Sequence, residues 1–205
     1  MKTNHLVWLG IIPLILITSS CKEIMMMRYG IHQPREETPE SIFSFMEKMD
    51  YPNENTFVFK DSSAFYACLR DSVFRNNALG TLFFSPQGLL DNYKDTSRCQ
   101  WPGGYFIRNL KHDTIYHADT GYTLQKLMDY TIPLNESTKR DTANADYIVV
   151  ISWATFLGKY NERLFSIRSA ISENKEVKVS PVFLCIDMLK EWRMTKREAA
   201  VLQFE

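Results

Sequence analysis

The stretch Val149–Phe165, VVISWATFLGKYNERLF, changes character twice within seventeen residues. With Tyr147 and Ile148 ahead of it, the run YIVVISWA is apolar on both alternations and rich in β-branched residues. That pattern predicts a strand buried on both faces. Gly158 then breaks the run. Beyond it, NERLFSIRSAISENK places Leu164, Ile167 and Ile171 at spacings of three and four, which predicts a helix with one inward face. VSPVFLCID follows as another apolar strand.

The same alternation continues outward. Thr38 precedes Pro39, and Ile42, Phe45, Met46 and Met49 recur at helical spacing, so a helix is expected from there. TFVFK reads as a short strand. Asp61 or Ser62 caps a further helix whose Phe65, Cys68, Leu69 and Val73 share a face. TLFFSPQGLLDNYKD gives two strands about Ser85-Pro86-Gln87-Gly88, a hairpin with turn residues at the reversal. PGGYFIRNL restarts a helical pattern, and residues 111–122 read as strand and turn. YTLQKLMDY suits either state. Residues 132–146 are polar and read as a surface loop, and LKEWRMTKREAAVLQF reads as a closing helix. Strands alternating with helices make the class α/β, with at least one antiparallel edge from the hairpin.

The chain has 205 residues, 45% of them apolar and 23% charged, which suits one domain with a full core. Lys+Arg and Asp+Glu are both 24, and no basic run stands out, so nucleic acid is not an expected partner. The N-terminus is of another composition. Lys2 and His5 open it, Leu6–Ile17 is an apolar run of twelve, and Thr18, Ser19 and Ser20 lead directly to Cys21. That is the layout of an export signal. The run is shorter than the ~20 residues a bilayer-spanning helix needs.

Small residues directly before Cys21 resemble the lipobox of bacterial lipoproteins, in which the cysteine is acylated and becomes the mature N-terminus. The family's usual leucine three places earlier is Thr18 here. An ordinary cleaved signal and a plain membrane anchor are the alternatives. The resemblance implies residues 1–21 as signal, a tether over 22–40 and a domain over 41–205. It also implies a membrane partner through the lipid at Cys21. Lys22 stands where an Asp is associated with inner-membrane retention, which leaves the outer membrane of a Gram-negative-type envelope as the expected location.

The segment ISWATFLGKYNERLF resembles the active-site strand, turn and helix of thioredoxin-like proteins, closest to membrane-anchored thiol-disulfide oxidoreductases of the TlpA type. There a buried strand ends in W-A-x-W-C-G-x-C. Trp153, Ala154 and Gly158 match, Phe156 stands for the second aromatic, and Lys159 replaces the usual proline. Asp187, ending PVFLCID, fits the family's next strand. Both sulfurs are missing: Leu157 holds the attacking position and Tyr160 the resolving one. Thiol–disulfide exchange needs an acidified thiolate and a second thiol, and leucine supplies neither charge nor lone pair. The resemblance therefore implies a thioredoxin-like frame without redox chemistry or cofactor, serving to bind or scaffold another envelope protein. The competing class is an oxidoreductase using Cys99 or Cys68. Cys185 reads as a buried small hydrophobe.

Residues 80–110 resemble the closing hairpin and helix of a thioredoxin, yet they precede the motif instead of following it. Two arrangements fit. One is a circularly permuted-like domain, with 41–110 as the late half and 119–205 as the early half. The other is a separate α+β module over 41–118 followed by a thioredoxin-like half. Gly80 holds the place of the family's cis-proline, and an ordinary trans peptide is expected there. Trp153, Phe156, Lys159 and Tyr160 should gather near one helix start. They form either a surface for a partner polypeptide, or a core pair (Trp153, Phe156) with Tyr160 half-exposed. His112 and His117 lie at an odd separation, which argues against a shared metal.

Overall fold

In the computed structural model, residues 21–91, 102–112, 118–135, 142 and 144–195 are described. The chain opens with helix α1 (Cys21–Tyr29) and the two-residue strand β1 (Glu36–Glu37). Helix α2 (Pro39–Lys48) starts where the sequence predicts. The Thr38 hydroxyl accepts from the Ser41 amide and the Ser41 hydroxyl accepts from the Thr38 amide, a reciprocal cap with Pro39 at the first turn. Strand β2 (Thr56–Phe59) is followed by α3 (Ser62–Arg70), capped by the Asp61 carboxylate at 2.7 Å from the Ala64 amide.

The helix expected to run on to Val73 breaks at Asp71. That residue ends α3 with an extended backbone, and its carboxylate caps α4 (Ser72–Asn77) by accepting from the Val73 amide at 2.9 Å. A side-chain acceptor that satisfies a new set of end amides makes a restart cheaper than continuation. Then come the hairpin strands β3 (Thr81–Phe84) and β4 (Leu89–Asp91), helix α5 (Pro102–Arg108) and strand β5 (Ala118–Thr123). The ambiguous YTLQKLMDY divides between the end of β5 and helix α6 (Leu124–Met128), with Thr123 as its cap. Part of the expected surface loop is strand β6 (Thr131–Pro133). Strand β7 (Tyr147–Trp153) leads through a 3₁₀ segment, Thr155–Tyr160, into α7 (Asn161–Phe165) and α8 (Ile167–Glu173). Strand β8 (Val179–Cys185), strand β9 (Met188–Leu189) and a 3₁₀ turn at Lys190–Trp192 close the described chain.

The closing helix expected from residue 189 is not formed over residues 189–195. Leu189 pairs as strand, and Arg193 takes a left-handed conformation (φ 51°) that ends the 3₁₀ turn. The rest of that segment lies outside the described residues.

Seven strands form one mixed sheet in the order β5-β4-β3-β7-β8-β2-β6. The β7–β8 and β8–β2 pairs are parallel, and the remaining pairs are antiparallel. The α/β class and the flanked mixed sheet are thus as expected, and the arrangement is compatible with a thioredoxin-like fold. Every residue of β7 is buried, which is why its sequence reads apolar without alternation. Strands β2 and β3, both from residues 41–118, lie in the same sheet as the motif strand: β2 flanks β8 on one side while β3 flanks β7 on the other. No peptide bond among the described residues is cis, Gly80 included.

Helices α5 and α8 pack together beside the sheet. Asn174 ties their ends, donating to the Ile107 carbonyl at 2.6 Å and the Leu110 carbonyl at 3.0 Å. The stretch expected as a tether does not keep clear of the domain. Residues 36–37 pair in parallel with 188–189, and the His32 amide donates to the Phe156 carbonyl beyond the end of β7.

Candidate functional site

The site begins where β7 ends. Trp153 and Ala154 are fully buried, and the chain turns through Thr155–Tyr160 before α7. Asn161, the first residue of α7 and itself buried, holds that turn closed. Its amide nitrogen donates to the Ala154 carbonyl at 2.7 Å and the Gly158 carbonyl at 3.1 Å. Gly158 sits at φ 52°, ψ −131°, a conformation open to glycine almost alone, and it kinks the segment. Leu157, at the position of the missing attacking sulfur, therefore lies before the kink instead of at the first turn of a continuous helix. It is 3% exposed.

The N-terminal segment covers this turn. The His32 amide donates to the Phe156 carbonyl at 2.9 Å. A Cβ on Gly158 would come within 2.6 Å of the Gly30 carbonyl oxygen and closer still to that of Tyr29, so only glycine lets the two backbones approach. Tyr29 meets Tyr160 edge to face with ring centroids 5.8 Å apart, and its hydroxyl accepts from Arg163 at 2.7 Å. The Arg163 guanidinium lies over both rings, 5.1 Å from Tyr29 and 5.8 Å from Tyr160, and Arg28 lies 5.7 Å from Tyr29.

The expected aromatic surface is accordingly divided. Trp153, Phe156 and Leu157 are core, while Tyr160 is half-buried and Lys159 exposed. Trp153 is enclosed by Phe45 at 6.1 Å, Phe165 at 5.6 Å and Tyr51 at 6.4 Å between ring centroids. Its indole N–H and the Tyr51 hydroxyl have no hydrogen-bond partner among the described residues. Burial, then the Glu162 charge, pushes the Tyr51 hydroxyl up to about 12.

Beneath the turn lies a pair of buried carboxylates. Asp187 is 1% exposed and accepts from the Thr155 amide at 2.7 Å, the Thr155 hydroxyl at 3.0 Å and the Cys185 thiol at 3.2 Å. Burial raises its pKa to about 6 against those hydrogen bonds, and the nearby Glu37 charge adds to the rise. Glu37 is 4% exposed and accepts from Ser41 and Arg35, both at 2.6 Å. Burial opposes its charge, but the Ser41 and Arg35 bonds, the Arg35 charge and Thr155 together hold it below the ordinary carboxylate range. The Thr155 hydroxyl has one proton for two acceptors, Asp187 at 3.0 Å and Glu37 at 3.4 Å.

No family model, curated protein or solved structure matches this chain. What the site can do is therefore read from its own chemistry.

Neither described thiol suits exchange. Cys68 is 1% exposed, 3.8 Å from the Tyr122 hydroxyl, and burial pushes it up to about 11. Cys185 is fully buried, and burial together with the Asp187 charge raises it well above the ordinary thiol value. An attacking thiol needs exposure and a lowered pKa. Cys99 and His117 lie outside the described residues. His112 is on the surface, 3.8 Å from Asp146.

Sequence reasoning found Asp187 and the motif positions but missed Glu37, Asn161 and the role of Thr155. The reciprocal cap at Thr38–Ser41 was a signal that the ordered chain starts before residue 41. Nothing local marks Glu37 as buried: Arg35 and Ser41 are near in sequence, but Thr155 and the paired strand β9 are far away.

Proposed function

We propose that this chain is a lipid-anchored module of a bacterial envelope, thioredoxin-like in architecture and without thiol chemistry, that binds another envelope protein. The observation that carries this reading is the state of the motif turn. Its attacking position is an aliphatic side chain, sealed in the core and covered by the chain's own membrane-proximal segment. A surface built for exchange has to leave that position open.

The strand order supports the architectural part. A parallel strand–helix–strand unit (β7, α7, α8, β8) is flanked on the β7 side by an antiparallel hairpin, and α5 follows that hairpin and packs on α8. Those are the parts and neighbours of the thioredoxin-like arrangement, with the hairpin earlier in the chain than the motif. The rearrangement is more than a cyclic one. Strand β2 extends the parallel side next to β8, yet it too precedes the hairpin.

The binding surface is a composite of motif and N-terminal segment. Tyr29 and Tyr160 lie beside Arg28, Lys159 and Arg163. Aromatic and arginine side chains dominate protein contacts, and three cations around two phenols favour an acidic partner surface. A photo-crosslinking residue at position 160, compared with one at exposed position 172, tests this in cells. Crosslinked envelope protein specific to position 160 is the expected result, and equal labelling at both positions overturns the reading. Insulin reduction by the purified chain should show no cysteine-dependent turnover.

A further inference from the structure

Helix α1 faces two ways. Met26 and Tyr29 are half-buried, and Tyr29 packs on Tyr160. Ile24 and Met27, three apart, form the opposite stripe. They are 56% and 84% exposed, the two highest values for large hydrophobic residues among the described residues. Scattered exposed apolar residues need no explanation. Two that adjoin on one short helix, with the other face committed to the domain, are a different matter.

Their place in the chain says what covers them. Helix α1 starts at Cys21, and the apolar run Leu6–Ile17 ends four residues earlier. Nine residues of helix span about 13 Å, so α1 is too short to hold the domain away from whatever surface receives Cys21. Two apolar side chains alone bind a bilayer feebly. An anchor beside them makes the contact intramolecular, and the effective concentration then carries it.

We propose that α1 lies in the membrane interface. Ile24 and Met27 enter the headgroup–acyl boundary, and the Met26/Tyr29 face holds the domain. This rests on the anchor at Cys21, and it goes further by fixing which side of the domain meets the bilayer. The Tyr29/Tyr160 surface is then held close to the membrane plane.

Methionine oxidation reads this in the unaltered sequence, because an exposed thioether oxidises faster than a covered one. The natural protein, isolated from bacteria, is placed in phosphatidylethanolamine/phosphatidylglycerol vesicles and treated with peroxide, and sulfoxide formation is followed residue by residue. In parallel, chain 21–205 carrying Cys99→Ser is joined at Cys21 to a maleimide lipid in the same vesicles, the other two thiols being buried. The reference is that chain free in solution. Several-fold slower oxidation of Met27 on vesicles, with Met194 unchanged, is the expected result in the joined form, whether or not the natural protein carries a lipid. An unacylated natural protein with Met27 protected in the joined form would refute the anchor and leave the interfacial helix standing. Equal Met27 rates on and off vesicles in the joined form would overturn the interfacial helix and leave the anchor standing.

Discussion

At the scale of single residues, the site is decided by what Gly158 and Asp187 cannot exchange for anything else. Alanine at 158 would force a strained backbone and meet the Tyr29 and Gly30 carbonyls. Gly158→Ala should therefore cost about 3 kcal/mol, the upper range for such strain, seen as a lowered urea midpoint with an unchanged slope. A loss near zero would mean that the segment 29–30 moves aside freely. Asp187 sets a pH dependence. Its pKa in the fold, about 6, lies above the unfolded value, so the fold favours the protonated form. Its contribution is present in acid and is lost as pH rises through about 6, a difference on the order of 3 kcal/mol. Glu37 is shifted the other way, so its contribution is present above its ordinary pKa and lost as pH falls below it. Asp187→Asn should flatten the decline in stability between about pH 4 and about pH 6. An unchanged slope in the variant would assign that decline to other groups.

At the scale of elements, the turn and the N-terminal segment form one unit. Restoring the two sulfurs tests whether the motif is only missing its reactive atoms. Leu157→Cys/Tyr160→Cys recreates the C-x-x-C spacing, yet residue 157 stays buried ahead of the Gly158 kink and beneath residues 29–32. The double variant should fold, and it should reduce insulin no faster than the parent chain. Turnover above the parent's would show that the cover opens readily and that the side chains alone had removed the chemistry. The motif spacing was legible in the sequence. Its burial was not, because the cover comes from more than 120 residues away, where Tyr29-Gly30-Ile31-His32 carries no periodic pattern.

At the scale of the molecule, residues 29–40 belong to the packed structure. Strand β1 pairs with β9, Glu37 enters the core, and the His32 amide bonds to Phe156 in the turn after β7. A chain starting at residue 41 loses the His32 bond to Phe156, the Glu37 contact with Thr155 and the pairing of β1 with β9. Its thermal midpoint should fall by several degrees or more relative to chain 21–205, since about 1 kcal/mol moves the midpoint of a domain this size by ~2–4 °C. Equal midpoints would return residues 22–40 to the role of a passive tether.

The sequence by itself determined the elements whose signals are local. Unbroken apolar runs marked β7 and β8, helical periodicity marked α8, a cap marked α2, and turn residues marked the hairpin. Each of these depends on interactions within a few residues, so the α/β class could be read without coordinates. Only the tertiary structure decided which strands neighbour β7, that residues 41–118 share its sheet, and that the N-terminal segment seals the motif. Those outcomes depend on contacts between residues far apart in the chain, such as Thr155 with Asp187 or Gly158 with Gly30. Such pairs leave no pattern at either end, because a glycine or a glutamate has the same local propensity whether it faces water or another segment's backbone.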